Sequence, residues 1–210
     1  MVNKKEVLNV SRIGVIGFHP TLLPMNRGRH PLIWAKVLGL KKSGTTFFFM
    51  DEGVDTGDVL DQKEFEILPE DTAADLYQKM ITNAETQIEH FYPKLINGDY
   101  SRTKQKTDKG NIWRKRVEMD GLIDFRMDTD SICNLIKGLS KPYIGAHLVY
   151  NGGKIKVWDA KSVKVNKDHL EPGKVLASSK EEILIKTSDG AVLISSQGLT
   201  PTPKVGSYIL

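Results

Sequence analysis

Hydrophobic positions in the first hundred residues predict short buried strands that alternate with helices. The run from Arg12 to Phe18 is mostly apolar and ends at His19-Pro20, which is typical of a buried strand that enters a loop. Residues 45–50 (TTFFFM) are β-branched and aromatic and predict a second buried strand, and residues 59–67 predict a third. We therefore expect an α/β fold in this part of the chain.

Two helices are predicted between and after these strands. Pro31 begins a helix that runs to Leu38, with Gly39 near its end. A longer helix over about 72–96 ends at Asn97-Gly98. Its apolar residues recur with a period of 3.6 and predict a buried face: Ala73, Leu76, Tyr77, Met80, Ile81, Ala84, Ile88, Phe91, Tyr92 and Leu95. The first helix would join its two strands by a parallel connection, which brings their ends to one edge of the sheet.

A polar segment separates this part of the chain from the rest. Residues 98–112 contain few apolar side chains, many polar ones and two glycines, as interdomain linkers do. We therefore predict a first domain over 1–100, a linker over 101–112 and a second domain over 113–210.

The second domain is predicted to be mostly β. After a short helix over 129–139, strands at 146–150 and 154–159 flank Asn151-Gly152, a strong hairpin signal, and Asp189-Gly190 marks another turn. Further strands are expected at 173–177, 182–187 and 192–195. Short strands at this spacing suggest a small barrel.

Composition excludes several classes of protein. The chain has 210 residues, 40% hydrophobic and 27% charged, as in soluble globular proteins, and it lacks the run of about 18 apolar residues that a membrane helix needs. The single cysteine, Cys133, excludes an internal disulfide framework and is expected to be buried and inert. The histidines outside the candidate site are scattered, so no metal site is expected. No secretory signal follows Met1, and we expect a cytoplasmic protein.

Charge is unevenly distributed along the chain. The net charge of +4 divides into −1 for residues 1–108 and +5 for residues 109–210. We interpret the basic half as a solvated, lysine-rich surface, because its lysines are scattered. The alternative is an anionic partner, such as a phosphate or a nucleic acid.

Two polar clusters follow the first two strands. The first, residues 17–28 (GFHPTLLPMNRG), places His19 at the end of a strand, where open α/β sheets bind ligands. The second, residues 51–58 (DEGVDTGD), follows the next strand. If both lie at one edge of the sheet, His19 can meet a carboxylate of the second cluster. The non-functional alternatives are that His19 is a structural residue and that the second cluster is an ordinary turn.

Several motifs, in a specific order and spacing, resemble one known family. In the first half they are HPTLLP from His19, RG from Arg27, PLIWA from Pro31 and DTGD from Asp55; in the second half they are RVEMDGLIDF from Arg116, PYIGA from Pro142 and KVW from Lys156. They resemble the folate-dependent formyltransferases that act on methionyl-tRNA or amino sugars. The resemblance covers almost the whole chain and implies a partial Rossmann-like formyltransferase domain followed by an OB-like β-barrel domain.

The resemblance also implies a reaction and its residues. A formyl group would pass from N10-formyltetrahydrofolate to a primary amine, with His19 as the donor that polarises the formyl carbonyl and Asp55 as the proton acceptor. Residues expected to contact the folate are Met50, Asp51, Gly53 and Val54. Residues expected to contact the acceptor are Thr21, Arg27, Gly28 and Arg29.

The acceptor is expected to be an amino-sugar nucleotide or an aminoacyl-tRNA. Arg27 and Arg29 could hold a diphosphate, which favours the amino sugar, while the basic second half would suit transfer RNA.

The sequence departs from the family at one catalytic position. Gly17 stands where the family has an asparagine, and loss of one such oxyanion donor typically lowers the rate by about 10²–10³-fold. A backbone N–H, a water molecule or Asn26 could replace it, or the activity could be weak. The alternatives to transfer are hydrolysis of the formyl donor and a non-catalytic fragment that binds anions.

The resemblance also bears on how the chain begins. Only 18 residues precede His19, so the family's first strands would be missing. The strand over 12–18 would then lack neighbours, and we expect a truncated sheet, pairing with another chain, or a numbering that starts part-way through the gene.

Overall fold

The computed structural model describes residues 5–8, 10–106 and 108–209. The limits of the predicted domains at residues 1 and 210 lie outside these ranges. Contacts divide the chain into two compact units. The first comprises the described residues of Met1–Ala35, Leu40–Leu68 and Asp75–Arg116, and the second those of Lys36–Gly39, Pro69–Ala74 and Val117–Leu210.

Up to residue 116 the chain forms a mixed set of helices and strands. The helices are α1 (Lys5–Leu8), α2 (Pro31–Val37) and α3 (Ala73–Asn97). The strands are β1 (Ile16–His19), β2 (Arg27–Gly28), β3 (Lys42–Phe49), β4 (Val59–Glu66) and β5 (Ile112–Trp113). The predicted α/β class is confirmed.

The main sheet of the first unit has the order β1-β3-β4 and is antiparallel throughout. In β1 and β3, Ile16 lies opposite Phe49 and His19 lies opposite Thr46. The predicted parallel connection between these strands is therefore wrong. The chain leaves β1 and enters β3 at the same end of the sheet, so the segment between them does not have to cross the sheet.

Helix α3 lies within one residue of its predicted limits, and the predicted core residues Ala73, Leu76 and Phe91 are buried. The predicted core residues Tyr77, Ile81, Ile88 and Tyr92 are exposed, so the prediction is wrong for them. The buried positions also include two amides, Asn83 and Gln87.

Both amides bond to the sheet, which explains their burial. Gln87 accepts a hydrogen bond from the Thr45 hydroxyl at 2.5 Å and donates from Nε2 to Asp61 Oδ1 at 2.7 Å. Asn83 Nδ2 donates to the carbonyls of Lys63 and Glu64 at 3.3 and 3.2 Å. A hydrophobic pattern counts amides as polar and misses positions that are anchored by hydrogen bonds.

The apolar core of the first unit lies between α2, β4 and α3. It is formed by Leu32, Ala35, Phe65, Ile67 and Leu76. Strand β3 is buried from Ser43 to Phe49, as its sequence predicts.

The second unit is mainly β. Its helices are a 3-10 turn, Glu118–Gly121, and α4 (Thr129–Gly138), which Asp128 caps by accepting from Ser131 N. The strands are β6 (Ala146–Tyr150), β7 (Gly153–Val157), β8 (Ala160–Val163), β9 (Val175–Ser178), β10 (Glu182–Lys186) and β11 (Ala191–Ser195).

These strands form two separate antiparallel sheets. One has the order β8-β11-β10-β9, and the other is the hairpin of β6 and β7. The hairpin turns at Asn151 and Gly152, both with positive φ, as the sequence predicts. Among the residues described, the strands do not close into a barrel. The sequence does not predict β8 as a strand of its own.

The structure can be compared with what composition predicts for the cysteine, for metal sites and for membrane helices. Cys133 is buried, and burial raises the pKa of its thiol above 9.0. Within the described ranges, no three or more His, Cys, Asp or Glu side chains form a group that could hold a metal ion. No helix in these ranges is long and apolar enough to cross a membrane.

Replacing Gln87, one of the two buried amides of α3, tests whether hydrogen bonds anchor this helix. We expect Gln87→Leu to lower the free energy of unfolding by about 1–3 kcal/mol, because it removes the hydrogen-bond partner of Thr45 and Asp61 in a buried place. Urea denaturation followed by circular dichroism measures the loss. The matched control is Gln78→Leu on the exposed face of the same helix, which should change stability by less than about 0.5 kcal/mol. Equal losses in the two variants would contradict this explanation.

Candidate active site

The loop that follows β1 is fixed to the sheet by buried polar side chains. The Thr46 hydroxyl donates to the carbonyl of Thr21 at 2.6 Å and accepts from the N–H of Leu23 at 3.3 Å. Gln62 Nε2 donates to the carbonyl of Leu23 at 2.9 Å and to the Thr46 hydroxyl at 2.8 Å. Thr21 is fully buried, and its own hydroxyl bonds to the carbonyl of Met25 at 2.9 Å. These bonds hold the loop that begins directly after His19, the last residue of β1.

His19 is buried between two oxygen atoms. Its Nε2 lies 2.8 Å from the carbonyl oxygen of Asn26, and its Nδ1 lies 3.6 Å from Asp55 Oδ2. Because a carbonyl oxygen only accepts hydrogen bonds, Nε2 carries a hydrogen. His19 can therefore donate a second hydrogen bond, from Nδ1, only as the imidazolium.

Asp55 is held by both its main chain and its carboxylate. Its φ of 55° lies in the left-handed region, which costs about 1–3 kcal/mol for a residue with a side chain. The main-chain carbonyl accepts from Arg27 Nε at 3.1 Å and from Gln105 Nε2 at 2.9 Å. The carboxylate Oδ2 accepts from the N–H of Gly28 at 2.9 Å. The carbonyl and the carboxylate therefore have separate sets of donors.

The loop between β3 and β4 carries Asp55, and hydrogen bonds within the loop join its first residues to its last ones. Asp51 Oδ1 accepts from the N–H of Gly53 at 3.0 Å and from the Thr56 hydroxyl at 2.6 Å. A Cβ on Gly57 would lie 1.7 Å from the carbonyl oxygen of Phe49, so only glycine fits there. This close approach turns the loop back, so that Asp55 reaches His19 although β1 and β3 are antiparallel.

A cavity of about 540 Å³ opens beside Asp55. It is lined by every residue that the sequence predicts as a folate contact, and by two of the predicted acceptor contacts, Gly28 and Arg29. Its apolar wall includes Phe48, Met50 and Val54. The structure thus brings most of the predicted residues to one cavity, while their roles remain predictions.

Thr21 and Arg27 have a different place from the other predicted contacts. Neither lines the cavity, and both are buried. Besides the carbonyl of Asp55, the Arg27 guanidinium bonds Gln105 Oε1, with Nη2 at 2.7 Å. In this structure the two side chains hold the loops, and contact with an acceptor remains a prediction for them.

The segment over 101–112, which the sequence pattern assigns to a linker, contributes to the site in a way that the pattern does not predict. The N–H groups of Arg27 and Asn26 donate to Asn111, to its main-chain and side-chain oxygens at 3.1 and 2.9 Å. Strand β5 then runs parallel to β2 and lines the cavity with Trp113. The polar composition of this segment is common to linkers and to loops on a protein surface, so it gave no signal. The predicted domain limits stay a prediction.

Cationic side chains lie on the cavity wall beside β5. Arg29, Arg114 and Lys115 line it. Burial, and then the positive charges of Arg116, Arg29 and Lys115, lower the pKa of His30 below 6.5. The neutral ring of His30 accepts a hydrogen bond at Nδ1 from the N–H of Arg116 at 3.2 Å, which joins this segment to the start of α2.

Apolar side chains fill the space beside Gly17. A Cβ built there would lie 2.8 Å from Phe48 Cζ and 2.9 Å from Met50 Cγ. Any larger side chain at this position therefore requires these residues to move. Gly17 therefore lacks the side-chain donor of the family's asparagine, and its small size also allows β1 to pack against β3.

Comparison of the sequence with known families matches both parts of the chain. A model described as formyl transferase matches residues 3–90, and one described as formyl transferase, C-terminal domain, matches residues 116–202. The chain is 34% identical to the methionyl-tRNA formyltransferase of Halothermothrix orenii over 206 residues, which are 96% of this chain and 65% of that protein. It is 33% identical to the corresponding enzyme of Clostridium tetani over 190 residues, 90% of this chain and 61% of that protein. The chain thus spans less than two thirds of these relatives.

Solved structures share the fold. HypX from Aquifex aeolicus in complex with tetrahydrofolic acid aligns with a TM-score of 0.69 and 26% identity, over 85% of this chain and 31% of that one. WlaRD, a sugar 3N-formyl transferase in the presence of dTDP and 5-N-formyl-THF, aligns with a TM-score of 0.67 and 23% identity, over 86% of this chain and 64% of that one. At its lower identity, the second comparison supports the fold alone.

A double-mutant cycle tests the packing at Gly17. We expect Gly17→Ala to lower the free energy of unfolding by about 1–3 kcal/mol, because the new methyl group overlaps the Phe48 ring. In a Phe48→Leu background, which removes the overlapping Cζ atom, the same substitution should cost about 1 kcal/mol less. Urea denaturation of the four proteins measures both values. Additive losses would contradict the steric explanation.

Proposed function

Because this chain belongs to the formyl transferase family, we propose that it moves a formyl group from N10-formyltetrahydrofolate to a primary amine. One observation carries the proposal: the buried imidazole of His19 lies 3.6 Å from the carboxylate of Asp55, and Asp55, but not His19, is among the residues that line the cavity. Attack of an amine on a formyl carbonyl needs a donor for the oxygen and an acceptor for the amine proton. This pair can supply both.

Asp55 is suited to receive the proton of the attacking amine. The N–H of Gly28 fixes Oδ2, and the carboxylate borders the cavity. The proton can pass to it directly or through one water molecule. A fixed carboxylate does not have to reorganise when the amine becomes positive, which lowers the barrier.

His19 is suited to stabilise the negative charge that develops on the formyl oxygen. Its Nε2 is bonded to the carbonyl of Asn26, which fixes the ring, and its Nδ1 faces Asp55. As the imidazolium it can donate a hydrogen bond from Nδ1 to the formyl oxygen. With Gly17 beside the apolar Phe48 and Met50, we assign the side-chain contribution to the oxyanion to His19.

The cavity has the chemistry to hold the pterin end of the formyl donor. Phe48, Met50 and Val54 offer an apolar wall to a flat ring system, and the polar loop over 51–53 offers groups for its ring nitrogens. The volume of about 540 Å³ is in the range of small-molecule sites. HypX, which aligns with this chain, was solved with tetrahydrofolic acid, and this also supports a folate ligand.

The acceptor amine is proposed to be carried by a phosphate-containing molecule. Arg29, Arg114 and Lys115 line the cavity and would attract its negative charges. The two relatives named above are methionyl-tRNA formyltransferases, and Arg29 at the cavity is suited to bind the diphosphate of an amino-sugar nucleotide. We therefore propose an aminoacyl-tRNA or an amino-sugar nucleotide as the acceptor.

A transfer assay tests the proposed reaction and its two residues. The protein is mixed with N10-formyltetrahydrofolate and either methionyl-tRNA or an amino-sugar nucleotide, and the formylated product is quantified. We expect His19→Ala and Asp55→Asn each to lower kcat by about 10²–10⁴-fold, because each removes one proton or charge partner of the reaction.

A second histidine–carboxylate pair provides the matched control. His90 Nδ1 lies 3.0 Å from Asp61 Oδ2 in the same unit and does not line this cavity. His90→Ala should therefore keep kcat within about twofold of the parent. Full activity in both His19→Ala and Asp55→Asn would contradict the proposal, and formate release without any amine would indicate hydrolysis instead.

A further inference from the structure

We propose that Gln105, from the segment between the two halves of the chain, is a positioning residue for the catalytic carboxylate. It would act by fixing the main chain of the Asp55 loop. The inference rests on the proposed function for its catalytic part, while its structural part stands on the contacts alone. Gln105 is not among the residues that line the cavity, and its side-chain hydrogen bonds in the described part of the chain join it to Arg27 and to the carbonyls of Asp55 and Gly57.

The amide of Gln105 bonds the Asp55 loop at two main-chain oxygens. Its Nε2 donates to the carbonyl of Asp55 at 2.9 Å and to the carbonyl of Gly57 at 2.7 Å. An amide nitrogen has two hydrogens, so both are used. One side chain thereby fixes two carbonyls on either side of Thr56.

Arg27 fixes the other end of the same amide. Its Nη2 and Nε donate to Gln105 Oε1 at 2.7 and 3.3 Å, and Nε also donates to the carbonyl of Asp55 at 3.1 Å. Because the guanidinium can only donate, it forces the amide oxygen toward itself and the amide nitrogen toward the loop. The orientation of Gln105 is therefore determined by its partners.

The main chain just before Gln105 is also held in place. Two residues earlier, Thr103 pairs with Val59 at the start of β4, with N–H to O distances of 2.9 and 2.8 Å in the two directions. This short antiparallel bridge fixes the approach of residues 103–105 to the loop. A segment of polar composition thus carries a defined contact to the active-site loop.

These bonds explain how Asp55 maintains a conformation that is unfavourable by itself. With a φ of 55°, its carbonyl accepts from Gln105 and Arg27, while its carboxylate accepts from the N–H of Gly28 and faces His19. Without the donors on the carbonyl, the peptide would be free to rotate toward a more common conformation. The carboxylate would then move away from Gly28 and His19.

The test is a substitution that keeps the shape and the Arg27 contact but removes the donors. In Gln105→Glu, a carboxylate can still accept from Arg27, yet it repels the carbonyls of Asp55 and Gly57. The matched control is Asn83→Asp, which likewise removes an amide bonded to two main-chain carbonyls, those of Lys63 and Glu64, outside the Asp55 loop. Both variants are compared with the parent protein.

The first readout needs no activity. In the protein without ligands, we expect Gln105→Glu to shift the Gly28 amide resonance and to speed its hydrogen exchange by about tenfold or more, because the bond to Asp55 Oδ2 is weakened. Asp55→Ala gives the reference for complete loss of that bond. Asn83→Asp should leave the Gly28 resonance unchanged. If Gln105→Glu does not fold, Gln105→Met removes the same donors without adding a charge.

The second readout separates positioning from binding. We expect Gln105→Glu to lower kcat of formyl transfer by about 10–100-fold and to leave KM for the formyl donor within about twofold, since the displaced carboxylate affects the chemical step. An unchanged Gly28 resonance, or an equal shift in Asn83→Asp, would overturn the proposal even if the protein is an active transferase. A shifted resonance in a protein without transfer activity would support the positioning and contradict the proposed function alone.

Discussion

The left-handed conformation of Asp55 is the constraint on which the candidate site depends. In this conformation the carbonyl and the carboxylate of one residue point to different donors. The cost of about 1–3 kcal/mol is offset by hydrogen bonds from Arg27, Gln105 and Gly28. Two segments of the chain, one with Arg27 and Gly28 and the other with Gln105, are thus brought to Asp55.

The same constraint explains how an antiparallel sheet can build this site. In a parallel sheet, the loops after two neighbouring strands meet at one edge. Here the loop after β3 begins at the opposite end of the β1–β3 pair from His19, and it must turn back over the sheet. The close approach of Gly57 to Phe49 allows the loop to turn back, and the hydrogen bonds donated to the Asp55 carbonyl fix the position of Asp55.

Local patterns predicted the elements better than their arrangement. The buried β3, the ends of α3 and the turn at Asn151 were predictable, because each depends on residues adjacent in sequence. The direction of β1 relative to β3 was not, since periodicity does not identify the partner of a strand or its direction. Two buried positions of α3, Asn83 and Gln87, were not predictable, because their amides are buried against distant main-chain carbonyls and the carboxylate of Asp61.

The candidate site, like the fold, was predictable only in part. The sequence predicted that His19 and a carboxylate of the second cluster would meet, and the structure brings His19 next to Asp55, although by an antiparallel route. Gln105 could not be identified, because a glutamine between two lysines looks like any exposed position until its partners are known. The partners of Arg27 could not be identified either, because they are main-chain and amide oxygens that no local pattern encodes.

A crystal structure with bound 5-formyltetrahydrofolate, a stable analogue of the donor, tests the central claim most directly. The claim is that His19 and Asp55 act on a formyl group held in the cavity beside them. We expect a pterin ring against Phe48 and Met50, and a formyl group beside Asp55 with its oxygen within about 3.2 Å of His19 Nδ1. A ligand bound outside this cavity, or a formyl group directed away from both residues, would contradict it.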